Sequence, residues 1–536
     1  MKIVLIYPPF IEERIHAEDI LSPPIGIFSV GAILKENGYG VEIWNMPGEL
    51  LAGISVPIEK RIKELRADIL GFSVLHGNRW PAIDIARITK RLLPNVKVVF
   101  GGVGATFLWR HLLEYFPEID YVVTGEGEYS FLELVRHIEK GTDEPPRHIR
   151  GVAFNDRRGR PYWSGPSEPI RDLDALPIPA KFFDYQHVSS TRGCAWKCRF
   201  CGSPAFWNGR VRYRSPENFV YELELLIKKG RNILYFSDDN FTIKKERAIE
   251  ICKLIIEKGL NIRWYAISRV DRVDEEIIYW MRRAGCIQIS YGVESGSAEV
   301  RRALGKPLER RQIRKAFSIT KRYGILPRAY FIYGAPGEDK RVIEETIELI
   351  KEIKPLSVIF YILDVFPGTE LYNSLKSVSL ISDDYWLKRT EGVMYFYFEN
   401  DPPVTEHEIL DRGEMLRSAF YQSLPEFVES IKLVDRKELY RFHADFLSRL
   451  AMTFSHGDYS HIAEIKAPEQ IAEKLYHRAL SFAPDNRAYL GLGIIRQKRG
   501  DYDGSLSVLQ QGMMHFPKSE ELHKCAKVSE SMIRRR

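Results

Sequence analysis

Three of the six cysteines lie within eight residues, in the run Cys194-Ala-Trp-Lys-Cys198-Arg-Phe-Cys201. The spacing is C-x3-C-x2-C, with an aromatic residue just before the last thiol. Clustered thiols in a chain with no disulfide pattern point to metal. Tetrahedral zinc wants four closed ligands, and no nearby His or Cys supplies the fourth. Three thiolates instead suit three irons of a cubane and leave the fourth iron open to a non-protein ligand. Cys252, Cys286 and Cys525 stand alone and read as small buried hydrophobes.

The elements around this loop decide what it can work with. From about Phe183 to 382 short apolar runs alternate with helical sequence: the segment before the cysteines, then NILYFSD, IRWYAIS, CIQISYG, RAYFIYG and SVIFYILD. Six such units predict a partial (β/α)6 barrel, with polar residues just after each strand, where barrels build their sites. Those residues are Asp238 and Asp239, Arg269, Glu294 and Ser295, and Gly334 in Gly334-Ala335-Pro336-Gly337. Residues 1–141 show the same strand–helix rhythm and predict a doubly wound, Rossmann-like α/β sheet. Its loops carry Ser73, His76, Gly101-Gly102-Val103-Gly104-Ala105-Thr106 and Thr124-Gly125-Glu126-Gly127-Glu128. The Pro- and Gly-punctuated stretch 142–182 reads as a linker with a hairpin turn at NDRRGR.

Residues 383–536 are mostly helical in pattern. Within about 442–520 an internal repeat aligns AEKLYHRALSFAPDN with GSLSVLQQGMMHFPKS, placing Pro484 and Pro517 33 residues apart. This resembles a tetratricopeptide repeat. A helical cap on the barrel is the alternative.

The 78 basic residues are interspersed with 72 acidic ones for a net charge of +6, which argues against nucleic acid as the main partner. The first residues, Met1-Lys2-Ile3-Val4-Leu5-Ile6-Tyr7-Pro8-Pro9, read as a buried strand rather than a signal peptide. No stretch has the roughly 18 uninterrupted apolar residues of a membrane helix, so a cytoplasmic location is expected.

On its cysteine signature and the barrel that follows, the chain resembles the radical S-adenosylmethionine (SAM) superfamily. The resemblance implies a [4Fe–4S] cluster on Cys194, Cys198 and Cys201 whose open iron binds SAM. It also implies SAM contacts from Asp238, Asp239, Arg269, Glu294, Ser295 and Gly334, with the Arg269 guanidinium facing a carboxylate. The same residue types also serve as helix caps and turns.

A doubly wound domain ahead of such a barrel resembles the cobalamin-binding domain of cobalamin-dependent radical SAM enzymes, a likeness covering about the first 380 residues. It implies cobalamin contacts from Ser73, His76, Gly101, Gly102, Thr106, Gly125 and Glu126. Methionine-synthase-like cobalamin domains carry D-x-H-x-x-G, whose histidine ligates cobalt, and many radical SAM relatives lack it. Here Leu21 and Pro23 stand at the Asp and His positions, with Gly26 retained. Cobalamin without a lower histidine is therefore expected, and His76 reads more readily as an ordinary loop histidine than as a cobalt ligand. The implied reaction is methylation of an unactivated carbon of a small-molecule or carrier- or peptide-bound substrate, through a 5′-deoxyadenosyl radical and methylcobalamin. A donor such as flavodoxin or ferredoxin would supply the electron. The rivals are cyclisation, ring rearrangement or oxidation without methyl transfer, and a non-enzymatic cobalamin or redox sensor read out through the helical repeats. The residues doing catalysis and the substrate are not legible from the sequence.

Overall fold

A computed structural model of the chain describes residues 1–10, 22–54, 56–142, 144–335, 337–387 and 405–535. The protein divides into two compact units. One comprises residues 1–241, 304–306 and 363–387, the other 242–303, 307–362 and 405–535.

The first unit is built on a seven-stranded sheet: β1 (Lys2–Tyr7), β2 (Gly40–Asn45), β3 (Ile69–Ser73), β4 (Lys97–Gly101), β5 (Tyr121–Val123), β6 (Val152–Asn155) and β7 (Pro161–Trp163), in the order β2-β1-β3-β4-β5-β6-β7. The strands β1 to β5 are parallel. Such strands bury both faces and so read as unbroken apolar runs; in β1, Ile3 through Tyr7 are all buried. The stretch expected as a linker does more than connect. Its β6 and β7 add an antiparallel hairpin to the sheet edge. The turn at NDRRGR forms because Asp156 accepts from the N–H groups of Arg158 (2.8 Å) and Arg160 (3.0 Å), while Gly159 takes φ +72°.

The same unit holds β8 (His187–Val188), β9 (Thr191–Arg192), β10 (Arg212–Tyr213) and β11 (Ile233–Phe236). Strands β8 and β11 pair in parallel. Strands β9 and β10 pair antiparallel, Thr191 facing Tyr213 and Arg192 facing Arg212, and so close a loop around the three cysteines.

In the second unit β12 (Arg263–Ser268), β13 (Cys286–Glu294), β14 (Leu326–Tyr333) and β15 (Ser357–Ile362) form a parallel array. The helices Glu275–Arg283, Arg310–Arg322 and Lys340–Ile353 connect them. Six strands thus carry the expected barrel rhythm among the described residues. Cys252 and Cys286 are buried, as read from the sequence, whereas Cys525 is only half-buried.

The chain ends in helices, among them Tyr440–Ser455, Pro468–Leu480, Asn486–Lys498, Tyr502–His515 and Glu520–Arg535. Small residues set the helix spacing: a side chain at Gly491 would meet the Tyr476 ring, and one at Gly493 would meet Leu509. One carboxylate ties this region to the strands. Asp445 takes Arg282 (3.0 Å), Arg449 (3.0 Å), Arg487 (3.2 Å) and Arg263 (3.6 Å). Burial alone would raise the Asp445 pKa, but the surrounding guanidiniums, Arg282 first, hold it well below the usual carboxylate range. Breaking a buried pair strands the other charge, so Asp445→Ala should destabilise the second unit by about 3–5 kcal/mol, read as an earlier urea midpoint. A carboxylate with a depressed folded pKa contributes stability above its unfolded value and loses it below. Wild-type stability should therefore fall as pH drops below about 4, and Asp445→Asn should blunt that dependence.

Candidate functional site

The cysteine loop is fixed at both ends and from beneath. Gly193 takes φ +102°, and a side chain there would collide with the Arg210 carbonyl. The Arg199 N–H donates to Leu304 O (3.0 Å), and the Leu371 N–H donates to Arg199 O (2.9 Å). Gly305 packs against the Lys197 carbonyl with no room for a Cβ. Buried charge braces the strands that flank the loop. Arg192 donates to Glu126 (2.6 Å) and to Glu128 (2.6 Å), and Arg212 donates to the other Glu126 oxygen and to Ile170 O (2.6 Å). Both guanidiniums lie over the Trp207 ring, at 5.9 and 5.5 Å. Burial pushes the Glu128 pKa up, yet the Arg192 charge outweighs it and the net shift is downward.

The loops of the seven-stranded sheet are knotted to one another. Asn78, fully buried, accepts from the Leu75 N–H (2.7 Å) and donates to Ser73 O (3.3 Å) and Pro8 O (3.4 Å). Side chains at Gly102 or Gly104 would strike the backbone of Val74 and Leu75. Gly102 also takes φ +94°. Gly101 meets no such obstruction. The Thr106 hydroxyl accepts from the Gly125 N–H (3.0 Å), linking the β4 and β5 loops. Ser73 ends β3 half-buried. His76 stacks on Phe366 (4.8 Å, 10°) and sits against Trp386 (5.3 Å), with Nδ1 buried and without a hydrogen-bond partner. Burial and the Arg79 charge lower its pKa to about 3, so it stays neutral.

In the second unit the strand ends are equally constrained. Glu294, 5% exposed, takes φ +71°, at a register shift in β13. A non-glycine residue held there stores strain, which persists only where the surroundings impose it. They do: the Arg301 guanidinium donates to Ser295 O (2.7 Å) and Gly296 O (2.9 Å), and the Gly296 N–H donates to Thr346 Oγ1 (2.9 Å). Gly334 takes φ +77° and donates its N–H to the buried Glu338 carboxylate (2.9 Å).

Two family models match the sequence, the radical SAM superfamily over residues 188–350 and the B12 binding domain over residues 20–135. An uncharacterized methyltransferase of Pyrococcus horikoshii is 31% identical over 402 residues, covering 73% of this chain and 86% of the relative. The chain belongs to the radical SAM superfamily, in the branch that carries a B12-binding domain. An anaerobic magnesium-protoporphyrin IX monomethyl ester cyclase of Rubrivivax gelatinosus is 26% identical over 416 residues, covering 74% of this chain and 72% of that one. In fold, the chain is similar to the cobalamin-dependent SAM radical enzyme OxsB with aqua-cobalamin bound, at TM-score 0.61 and 17% identity over 99% of this chain and 84% of that chain. The cofactors of this radical SAM enzyme are accordingly a [4Fe–4S] cluster, SAM and cobalamin.

The cysteines suit the cluster. Burial drives the Cys201 thiol up to about 12, and the charges of Asp239, Cys198 and Cys194 push the same way, against a Ser203 N–H that favours the thiolate. Thiols that feel one another's charge ionise together only against cationic iron. Among the described residues no group of three His, Cys, Asp or Glu could hold a metal ion. A cubane spreads its thiolates over different irons, so they need not converge on one point.

Several expected SAM or cobalamin contacts already have partners within the protein. Asp238, fully buried, accepts from the Ser190 N–H (3.0 Å) and the Ser190 and Thr191 hydroxyls. Asp239 accepts from the Ser203 hydroxyl (2.8 Å). Arg269, expected to face a carboxylate, forks onto Asp271 (3.0 and 3.2 Å). Both Glu126 oxygens are taken by the arginines around the cysteine loop. Leu21, and Pro336 of the Gly334 loop, lie outside the described residues. Sequence reading missed Asn78, Arg301 and Glu338, each buried and holding a loop through its backbone. For Glu338 the signal was present: an acid directly after the Gly-Ala-Pro-Gly run, ahead of the helix-capping Asp339. Burial raises its pKa to about 7, against the Gly334 N–H and Arg412. Protonation removes an acceptor from the Gly334 loop, so SAM affinity should weaken as pH falls through about 7. In Glu338→Gln, whose amide oxygen still accepts, affinity should be flat with pH; calorimetric titration with SAM between pH 6 and 8 checks both.

Proposed function

We propose that this radical SAM enzyme methylates an unactivated carbon of a small-molecule or carrier-bound substrate. The observation that carries the reading is the methyltransferase relative, 31% identical over 402 residues, in a chain that matches both the B12-binding and radical SAM family models. When bound, the cluster and SAM supply a 5′-deoxyadenosyl radical and cobalamin supplies the methyl group. The chain's own part is positional: the braced cysteine loop presents three thiolates, the Glu294 and Gly334 loops offer fixed backbone to SAM, and the knotted β3 and β4 loops offer a finished surface to cobalamin. Ring closure without methyl transfer is the second reading, favoured by the likeness to the cyclase. We also assign the C-terminal helices to holding the substrate. Their first and third repeat helices, Pro468–Leu480 and Tyr502–His515, begin 34 residues apart, as a tetratricopeptide-like array would. No helix among the described residues is long and apolar enough to cross a membrane, and a cytoplasmic setting suits the low-potential electron that the cluster requires.

Anaerobic reconstitution with SAM carrying a deuterated methyl group separates the readings. Methyl transfer yields product bearing the labelled methyl, together with 5′-deoxyadenosine and S-adenosylhomocysteine; an oxidised or cyclised product without label would overturn methylation. Replacing any one of Cys194, Cys198 or Cys201 by Ala should abolish 5′-deoxyadenosine and lower bound iron. Cobalamin should bind without a histidine below cobalt, since Pro23 stands at the ligand position and the His76 ring is packed against Phe366 and Trp386. Paramagnetic resonance of the cob(II)alamin form should show no nitrogen splitting; splitting that disappears in His76→Ala would promote His76 to ligand.

A further inference from the structure

The segment from Thr191 to Ser215 contains Arg192, Lys197, Arg199, Arg210, Arg212 and Arg214 and no acidic residue. These six cations meet different fates. Arg192 and Arg212 are matched by Glu126 and Glu128, and Arg214 pairs with the buried Glu222. Arg199 shares its charge with Glu370 at 2.9 Å, both partly exposed. Lys197 and Arg210 are exposed, and among the described residues neither forms an ion pair. Both sit against the metal ligands. Lys197 immediately precedes Cys198, and the Arg210 carbonyl packs on Gly193, the residue before Cys194. Tyr213, 37% exposed, adds an aromatic surface to the same hairpin. The inner carboxylates thus cancel the inward arginines and leave Lys197 and Arg210 as exposed, unmatched cations of the segment that carries the three cysteines.

We propose that this cysteine-bearing segment, through its exposed and unmatched Lys197 and Arg210, docks an acidic one-electron carrier protein that reduces the cluster. The proposal rests on the radical SAM assignment. The cluster gains one electron and the reduced carrier loses one, with no bond made or broken. Electron transfer demands a short path, so the carrier must seat on the loop that holds the thiolates. Complementary charge both steers its approach and orients it there. Arg and Tyr are the residue types that concentrate at such interfaces.

The test uses the reconstituted holoenzyme and two reductants, reduced flavodoxin as the carrier and dithionite as a small reagent that needs no docking face. In Lys197→Glu/Arg210→Glu, reduction by flavodoxin at low ionic strength should slow at least about tenfold, while dithionite reduction and bound iron stay at wild-type levels. The wild-type rate with flavodoxin should itself fall as salt is added. Should charge reversal impair cluster assembly, Lys197→Gln/Arg210→Gln, which adds no negative charge, should still slow the carrier several-fold at unchanged iron content. Wild-type flavodoxin kinetics in an iron-replete variant would overturn the proposal. So would a concentration-dependent dimer abolished by the same substitutions, which would assign the segment to a second copy of the chain. Failure of dithionite to reduce the wild-type centre would instead count against the cluster assignment itself.

Discussion

A loop of eight residues carrying three cysteines cannot hold its shape by its own backbone, because it belongs to no helix or strand. The protein answers with buried charge. Arg192 and Arg212, the facing residues of β9 and β10, are clamped by Glu126 and Glu128 from the loop after β5 and laid on Trp207. Removing any member would leave an uncompensated buried ion, a far larger cost than losing a surface pair. The seven-stranded sheet and the cysteine loop are in this way one electrostatic assembly within the first unit.

The same economy runs through the other candidate loops. Residues that sequence patterning assigns to cofactors are often engaged with the chain's own backbone. Asp238 holds Ser190 and Thr191, Gly102 and Gly104 make room for Val74 and Leu75, and Arg301 and Thr346 hold the strained Glu294–Gly296 turn. Surfaces finished in advance suit radical chemistry, where an intermediate that can drift reacts with whatever is nearest. Preorganised groups need no rearrangement when the ligand arrives.

At the other end of the chain a single carboxylate, Asp445, gathers four arginines drawn from a strand and three helices. The surplus cations are tolerated because only Arg282 is fully buried. Its partners keep a share of solvent, which screens their mutual repulsion.

How much of this was legible in the residues depends on the range of the interaction concerned. The C-x3-C-x2-C spacing, the apolar runs of β1 to β5 and the glycine after β14 are local patterns, and they determined the metal chemistry, the parallel α/β architecture and the places where loops must turn. The hairpin β6–β7 was visible only as its turn, since joining a sheet edge depends on a partner strand far off in sequence. The roles of Glu126, Arg192 and Arg212 were invisible for the same reason: an acidic residue in a Gly-rich loop looks the same whether it faces a cofactor or an arginine 66 residues away. Residue type and spacing determined which chemistry the chain carries. Only the tertiary structure decided which charges are spent inside the protein and which remain at its surface, because burial and pairing are properties of the assembled neighbourhood and not of the segment that contributes the side chain.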